Sequence, residues 1–217
     1  MTQLAEQKTS PLRHFTSSEK QVNVVPSPAW LEKLRKHALH RFEQVGFPPP
    51  KAEAWRHTNF APITKTKWEP AEAGNAAEVG FLVEQFTFGR EAAVELVFVN
   101  GRYHGELSRV DARLPRGVRV GSLAEAAASE GEVVQRYLAK YASIEVNPFV
   151  ALNTGLVADG AYVHLPTGTA IEQPIHVLLI STGGERPTVS HPRVLVVAGD
   201  NVGATIVESY VGTDHAY

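Results

Sequence analysis

The chain has 217 residues, of which 43% are hydrophobic and 20% charged, a formal net charge of −2 and no cysteine. This is an ordinary globular composition, enough for one large domain or two small ones. It offers little for nucleic acid or an anionic membrane to hold, and it excludes disulfides and thiolate metal ligands.

Residues 1–26 lack the apolar core of a signal peptide, and no run approaches the ~18 apolar residues of a membrane span. The expectation is a soluble, cytoplasmic protein with a disordered tail over 1–26. Order begins at Ser27, which is placed to cap a helix with Pro28 in its first turn. Leu31, Leu34, Ala38, Phe42 and Val45 repeat at helical spacing until Gly46 and Pro48-Pro49-Pro50 stop them. His37 and His40 sit three apart, a metal-binding spacing, but off the apolar stripe, so both read as solvated.

The segment Lys51 to Thr58 carries one tryptophan to bury, Trp55. Glu53, Arg56 and His57 offer an acid/base set there, but an anchoring turn after the prolines is the favoured reading. Residues 69–80 show no periodicity and read as a surface loop. Val94–Val99 followed by Asn100-Gly101 and Arg102-Tyr103-His104 is a hairpin, because a type I′ turn needs positive φ at both central positions. Arg109, Arg113, Arg116 and Arg119 read as a solvated loop rather than an anion site. Ser122-Leu123-Ala124-Glu125 is a capping box opening an alanine-rich helix. That helix breaks near Gly131, and a second segment runs from Glu132 to Tyr141 before Asn147-Pro148 ends it.

From Asp159 onward, short apolar runs (161–165, 174–180, 193–199 and 204–211) are separated only by turns. The spacing is too short for crossover helices, which need roughly 10–12 connecting residues. Near-continuous apolarity implies cover on both faces of each strand. Leu178, Ile180, Leu195 and Val197 are assigned outward, and Ile175, Val177, Leu179, Val194 and Val196 inward. The expected fold is mainly β with an α-helical N-terminal region: a right-handed parallel β-helix, an incomplete solenoid, preceded by a helical and hairpin subdomain. The expected division is a tail over 1–26, a helical region with hairpin over 27–148, and the first β-helix rungs over 149–217. The stack ends at Tyr217 without a cap, so a truncated product with open strand edges, prone to associate as a homodimer, is expected.

Catalytic motifs are absent: there is no Walker A loop, G-x-G-x-x-G, G-x-S-x-G or H-E-x-x-H. Glu172 and His176 flank Pro174 at a strand start, and Asp214-His215 lies near the terminus. His164, His176 and His191 read as ordinary strand or turn residues. No catalytic, cofactor or metal residue is nominated.

Several motifs do share an order. Phe47-Pro48 with Lys51-Ala52-Glu53-Ala54-Trp55-Arg56-His57-Thr58 comes first, then Phe98-Val99-Asn100-Gly101, Leu107-Ser108 and Leu114-Pro115-Arg116-Gly117-Val118. Asn147-Pro148-Phe149, Ala151-Leu152-Asn153-Thr154, Asp159-Gly160, Pro174-Ile175-His176, His191-Pro192-Arg193 and Glu208-Ser209-Tyr210 follow. Over residues 28–217 this resembles the first half of SufD-like members of the SufB/SufD family, the scaffold subunits of SUF iron–sulfur cluster assembly. The resemblance implies a non-catalytic scaffold that pairs with a SufB-like subunit through the β-helices and with a SufC-like ATPase through a C-terminal region not matched here. It implies a transient Fe–S cluster on the assembled complex; with no thiolate, this chain contributes only through histidine, carboxylate or the shape of a partner's site.

Two other classes fit less well. A β-helix enzyme acting on polysaccharide would array Asp159, Glu172, Asp200 and Glu208 along a groove, but its strands should be polar outside. A hexapeptide-repeat acyltransferase needs an aliphatic residue where Glu208 stands. A β-solenoid binding module is the remaining alternative.

Overall fold

The computed structural model describes Leu12, Phe15 and residues 27–49, 52–183 and 186–213. Apart from Leu12 and Phe15, the predicted tail lies outside the described residues, as do Asp214 and His215.

Helix α1 spans Ala29–Val45 and buries Leu31, Arg35, Ala38, Leu39 and Phe42. Gly46, at φ 65°, ends it. Ser27 does not cap it: Pro28 holds the N-cap position without a side-chain bond. The Ser27 Oγ instead accepts from Arg35 Nη1 at 2.9 Å, while Arg35 Nε donates to Val157 O at 3.0 Å. A buried guanidinium cannot be left unpaired, and it takes the hydroxyl that the helix end would have used.

Helix α2 (Ala61–Lys65), strand β1 (Glu69–Pro70) and helix α3 (Ala76–Phe86) follow. This corrects the surface-loop reading of 69–80. The Asn75 side chain accepts from Ala77 N at 2.9 Å and caps α3, whose Val79 and Leu82 are buried. Next come β2 (Val94–Val99), β3 (Arg102–Tyr103), β4 (Arg109–Val110) and β5 (Arg119–Ser122). The β2–β3 hairpin is as expected: its pairing is antiparallel, with φ 51° at Asn100 and 76° at Gly101.

Helix α4 (Leu123–Ser129) is capped by Ser122, whose Oγ accepts from Glu125 N at 3.1 Å. Helix α5 (Gly131–Tyr137) stops four residues short of the predicted Tyr141. Asn147-Pro148 opens a helix rather than ending one: α6 spans Pro148–Leu156, with Asn147 Oδ1 accepting from Phe149 N at 2.9 Å. Proline at a first helical turn loses no hydrogen bond, so the same dipeptide serves as a start. The first of the apolar runs expected as strands is β6 (Gly160–Leu165). They continue as β7 (Ile175–Ser181), β8 (Thr188–Val189), β9 (Arg193–Ala198) and β10 (Ile206–Gly212).

Helices thus surround mixed sheets, with no closed barrel among the described residues. One sheet runs β10-β7-β2-β3, with β4 also on β2; another runs β5-β6-β9; β1 pairs with β8. The pairings β2–β7, β7–β10, β6–β9 and β1–β8 are parallel. Gly160 meets Arg193, Ala170 meets Gly203 and Ile175 meets Ile206, so the later segment retraces the earlier one strand by strand.

Strand faces follow the predicted alternation. Ile175, Val177 and Leu179 join Leu96, Phe98, Val163 and Leu165 between the two sheets, with Val194 packed against them. Leu178 and Ile180 face outward onto Val79 and Leu82 of α3. Leu195 and Val197 turn to α4 and α5, against Leu123 and Val134. Val196, on the other face of β9 from these, is 41% exposed, because β9 is the last strand of its sheet among the described residues. Helices α1 and α6 form a separate layer through Ala38, Leu39, Phe42, Ala151 and Leu152.

Asp159 joins these layers. Its buried carboxylate accepts from Tyr103 N (3.0 Å), Ser122 Oγ (2.8 Å), Ala124 N (3.0 Å) and Gly160 N (2.8 Å). Asp159→Ala leaves those donors without their acceptor and is expected to cost about 3 kcal/mol or more. Urea unfolding measures it; a loss below about 1 kcal/mol would contradict the hub role.

Candidate functional site

Of the residues considered from sequence, only Glu53, Arg56 and His57 are brought together, and they lie at the surface. Arg56 bonds Glu53 Oε1 at 2.6 Å and His57 Nε2 at 2.9 Å, all three exposed, while Trp55 packs on Phe60 and Phe149. The segment is an anchor, as favoured above. His37 and His40 are exposed on α1, with His40 Nε2 lying 2.9 Å from Gln44 Nε2. The arginines disperse: Arg109 donates to the carbonyls of Gly89 and Ala92, Arg113 pairs with Asp111, and Arg119 lies 3.7 Å from Glu130. Glu172, Asp200 and Glu208 are exposed on separate segments, and Asp159 is buried away from them. Among the described residues, no group of three or more His, Asp or Glu could hold a metal ion.

Sequence reasoning missed a polar array under Thr87 and Phe88, just after α3. Parallel pairing sets Glu95 of β2 beside His176 of β7. Both are buried, at 4% and 0% exposure. Glu95 Oε2 lies 3.2 Å from His176 Nδ1, and His176 Nε2 lies 2.9 Å from Ser209 Oγ on β10. Thr87 Oγ1 donates to both Glu95 oxygens (2.6 and 2.7 Å), and Phe88 N donates to Oε2 at 3.0 Å. The Phe88 ring stacks on the imidazole, with centroids 4.2 Å apart and planes 8° apart. Burial alone would raise the Glu95 pKa, but bonds from His176, Thr87 and Phe88 outweigh it and hold the carboxyl below its ordinary value. A signal was present: Glu95 and His176 each interrupt an otherwise apolar strand at its second residue. Their registration becomes visible only once β2 is known to lie beside β7.

His191 is the other unusual histidine. Its Nε2 is enclosed without a hydrogen-bond partner, its ring meets the edge of Phe15 at 6.1 Å, and burial pushes its pKa down to about 4. The unfolded chain therefore binds a proton near pH 6.5 that the folded chain refuses until about pH 4. This group's contribution is complete above pH 6.5 and falls away on acidification to pH 4. The expected loss is about 3 kcal/mol across that window. His191→Phe should flatten the fall of Tm with pH; an unchanged slope would contradict the assignment.

Comparison with known proteins decides the family. The family described as SufBD protein N-terminal region matches residues 5–177. The chain belongs to the SufB/SufD family. An iron–sulfur cluster assembly SufBD family protein of Synechocystis is 30% identical over 181 residues, covering 83% of this chain and 39% of that protein. The iron–sulfur cluster assembly protein SufD of Bacillus subtilis is 26% identical over 197 residues, 86% of this chain and 42% of that protein. The chain thus spans about two fifths of these relatives' lengths. SufB/SufD family membership agrees with the motif order read from the sequence. No helix among the described residues is long and apolar enough to cross a membrane.

Proposed function

We propose that this chain serves iron–sulfur cluster assembly as a non-catalytic, cytoplasmic scaffold subunit, pairing with a SufB-like subunit in a complex that also holds a SufC-like ATPase. The cluster is cargo of the assembled complex. The observation that carries the reading is the pair of parallel ladders β6–β9 and β7–β10, which repeat one winding of chain on the next. We read them as the first rungs of a right-handed parallel β-helix, behind the helical and hairpin region of 27–148. Family membership supports the assembly role, since both relatives are named for iron–sulfur cluster assembly.

A scaffold of this kind needs no acid/base constellation. It needs a rigid platform and strand edges to present, and β9 and β10 each end a sheet among the described residues. With no cysteine, these 217 residues supply no thiolate to a cluster. The polysaccharide-enzyme alternative loses ground, because Glu172, Asp200 and Glu208 share no groove with Asp159.

Size-exclusion chromatography with light scattering tests the reading, using this chain alone and mixed with a SufB-like and SufC-like pair. Co-elution at the summed mass is expected. A folded chain that elutes apart from both at micromolar concentration would overturn the docking role.

A further inference from the structure

The Glu95–His176–Ser209 array is not explained by a scaffold role. Its hydrogens can be assigned from the contacts. The Glu95 carboxyl is held below its ordinary pKa, so it is ionised near neutral pH and only accepts. His176 Nδ1 therefore carries the proton and donates to Glu95 Oε2. In the tautomer that carries its proton on Nδ1, Nε2 is a lone-pair acceptor for the Ser209 hydroxyl 2.9 Å away. A hydroxyl bonded to an oriented imidazole, with the imidazole bonded to a carboxylate, is the arrangement that activates serine nucleophiles.

The position also leaves the hydroxyl within reach. Ser209 is half-buried and lies on β10, the last strand of its sheet among the described residues. Its chain neighbours Glu208 and Tyr210 alternate to the opposite face, where Tyr210 OH donates to Glu208 Oε2 at 2.6 Å. Val207 and Val211 flank it on its own face. The imidazole is fixed by Phe88 on its face and Glu95 on its edge, and holds its orientation without help from a ligand.

We propose that Ser209 is an acyl-acceptor site, acylated by a small activated ester or thioester with His176 as general base and Glu95 as its positioning residue. The Ser209 Oγ–C bond forms as the carbonyl's bond to the leaving alcohol or thiol breaks. The hydroxyl proton passes to His176 Nε2 and from there to the leaving group. The product is an O-acylserine, a covalent modification of the chain rather than a turnover.

The test uses p-nitrophenyl acetate on the whole 217-residue chain, with p-nitrophenolate release followed by absorbance and the adduct located by peptide mass spectrometry. The folded wild-type chain is expected to release about one p-nitrophenolate per chain in a burst and to carry acetyl on Ser209. The same chain in urea should leave Ser209 unmodified. Ser209→Ala should abolish the burst, and His176→Gln should slow it by about 10²-fold or more. Because the folded and unfolded wild-type chains decide the question, a His176 variant that fails to fold does not weaken the test. Acetylation of lysines alone, or of Ser209 equally in folded and unfolded chains, would overturn the proposal.

Discussion

Gly160→Ala is expected to be the most damaging single methyl group in the chain. A Cβ at this position would stand 1.9 Å from the Arg193 carbonyl oxygen and 2.5 Å from its nitrogen. Those atoms are the backbone of β9, paired with Gly160 at the start of the β6–β9 ladder. A flexible side chain could swing away from such a contact, but a paired strand cannot move without breaking its ladder. The next carboxylate, Asp159, is fixed at the same point by four donors, which removes the other route of relaxation. The expected loss is about 4 kcal/mol, at the extreme of what one substitution does. Urea unfolding would register it, or the variant would fail to accumulate in folded form. A loss under 1 kcal/mol would mean that β6 and β9 do not pack this closely at Gly160.

Glu95→Ala should be nearly as costly, for a different reason. It leaves His176 Nδ1–H, Thr87 Oγ1–H and Phe88 N–H with no acceptor. Removing one partner from a buried charged network typically costs about 3–5 kcal/mol. For a chain of this size that is a fall in Tm on the order of 10 °C. Glu95→Gln retains one carbonyl acceptor and should lose less than half as much. The pH dependence distinguishes charge from packing. The folded carboxyl titrates below the ordinary value of 4.5, so its contribution is present above that pH and disappears as pH falls through the folded pKa. Glu95→Gln should lack this acid-limb loss. Equal Tm values for Glu95→Ala and wild type would refute the account of the array.

The parts legible in the sequence were those whose signal is local. Asn100-Gly101 specifies its own turn, and Ser122 with Glu125 its own cap. The alternation of Ile175–Ile180 assigns faces correctly because nothing in that strand interrupts the two-residue period. The failures were of two kinds. Ser27 and Asn147-Pro148 were ambiguous signals whose meaning depended on a distant group, Arg35 seeking acceptors in one case and a helix continuing through Ala151 in the other. Helix α3 has only Val79 and Leu82 fully buried, too short a stripe to stand out until Leu178 and Ile180 supply the surface it covers. The Glu95–His176–Ser209 array depends on strands far apart in sequence, and no spacing rule links positions 95, 176 and 209. What the motif order did reveal was the family, which no single fold element could have done.

On the proposed function, β9 and β10 are the strands that meet a SufB-like partner. Hydrogen–deuterium exchange of the chain, with and without that partner, tests it most directly. The account predicts slowed amide exchange over Arg193–Ala198 and Ile206–Gly212 on mixing, with α1 and α6 unchanged. Unchanged exchange in both strands, at partner concentrations well above micromolar, would contradict it.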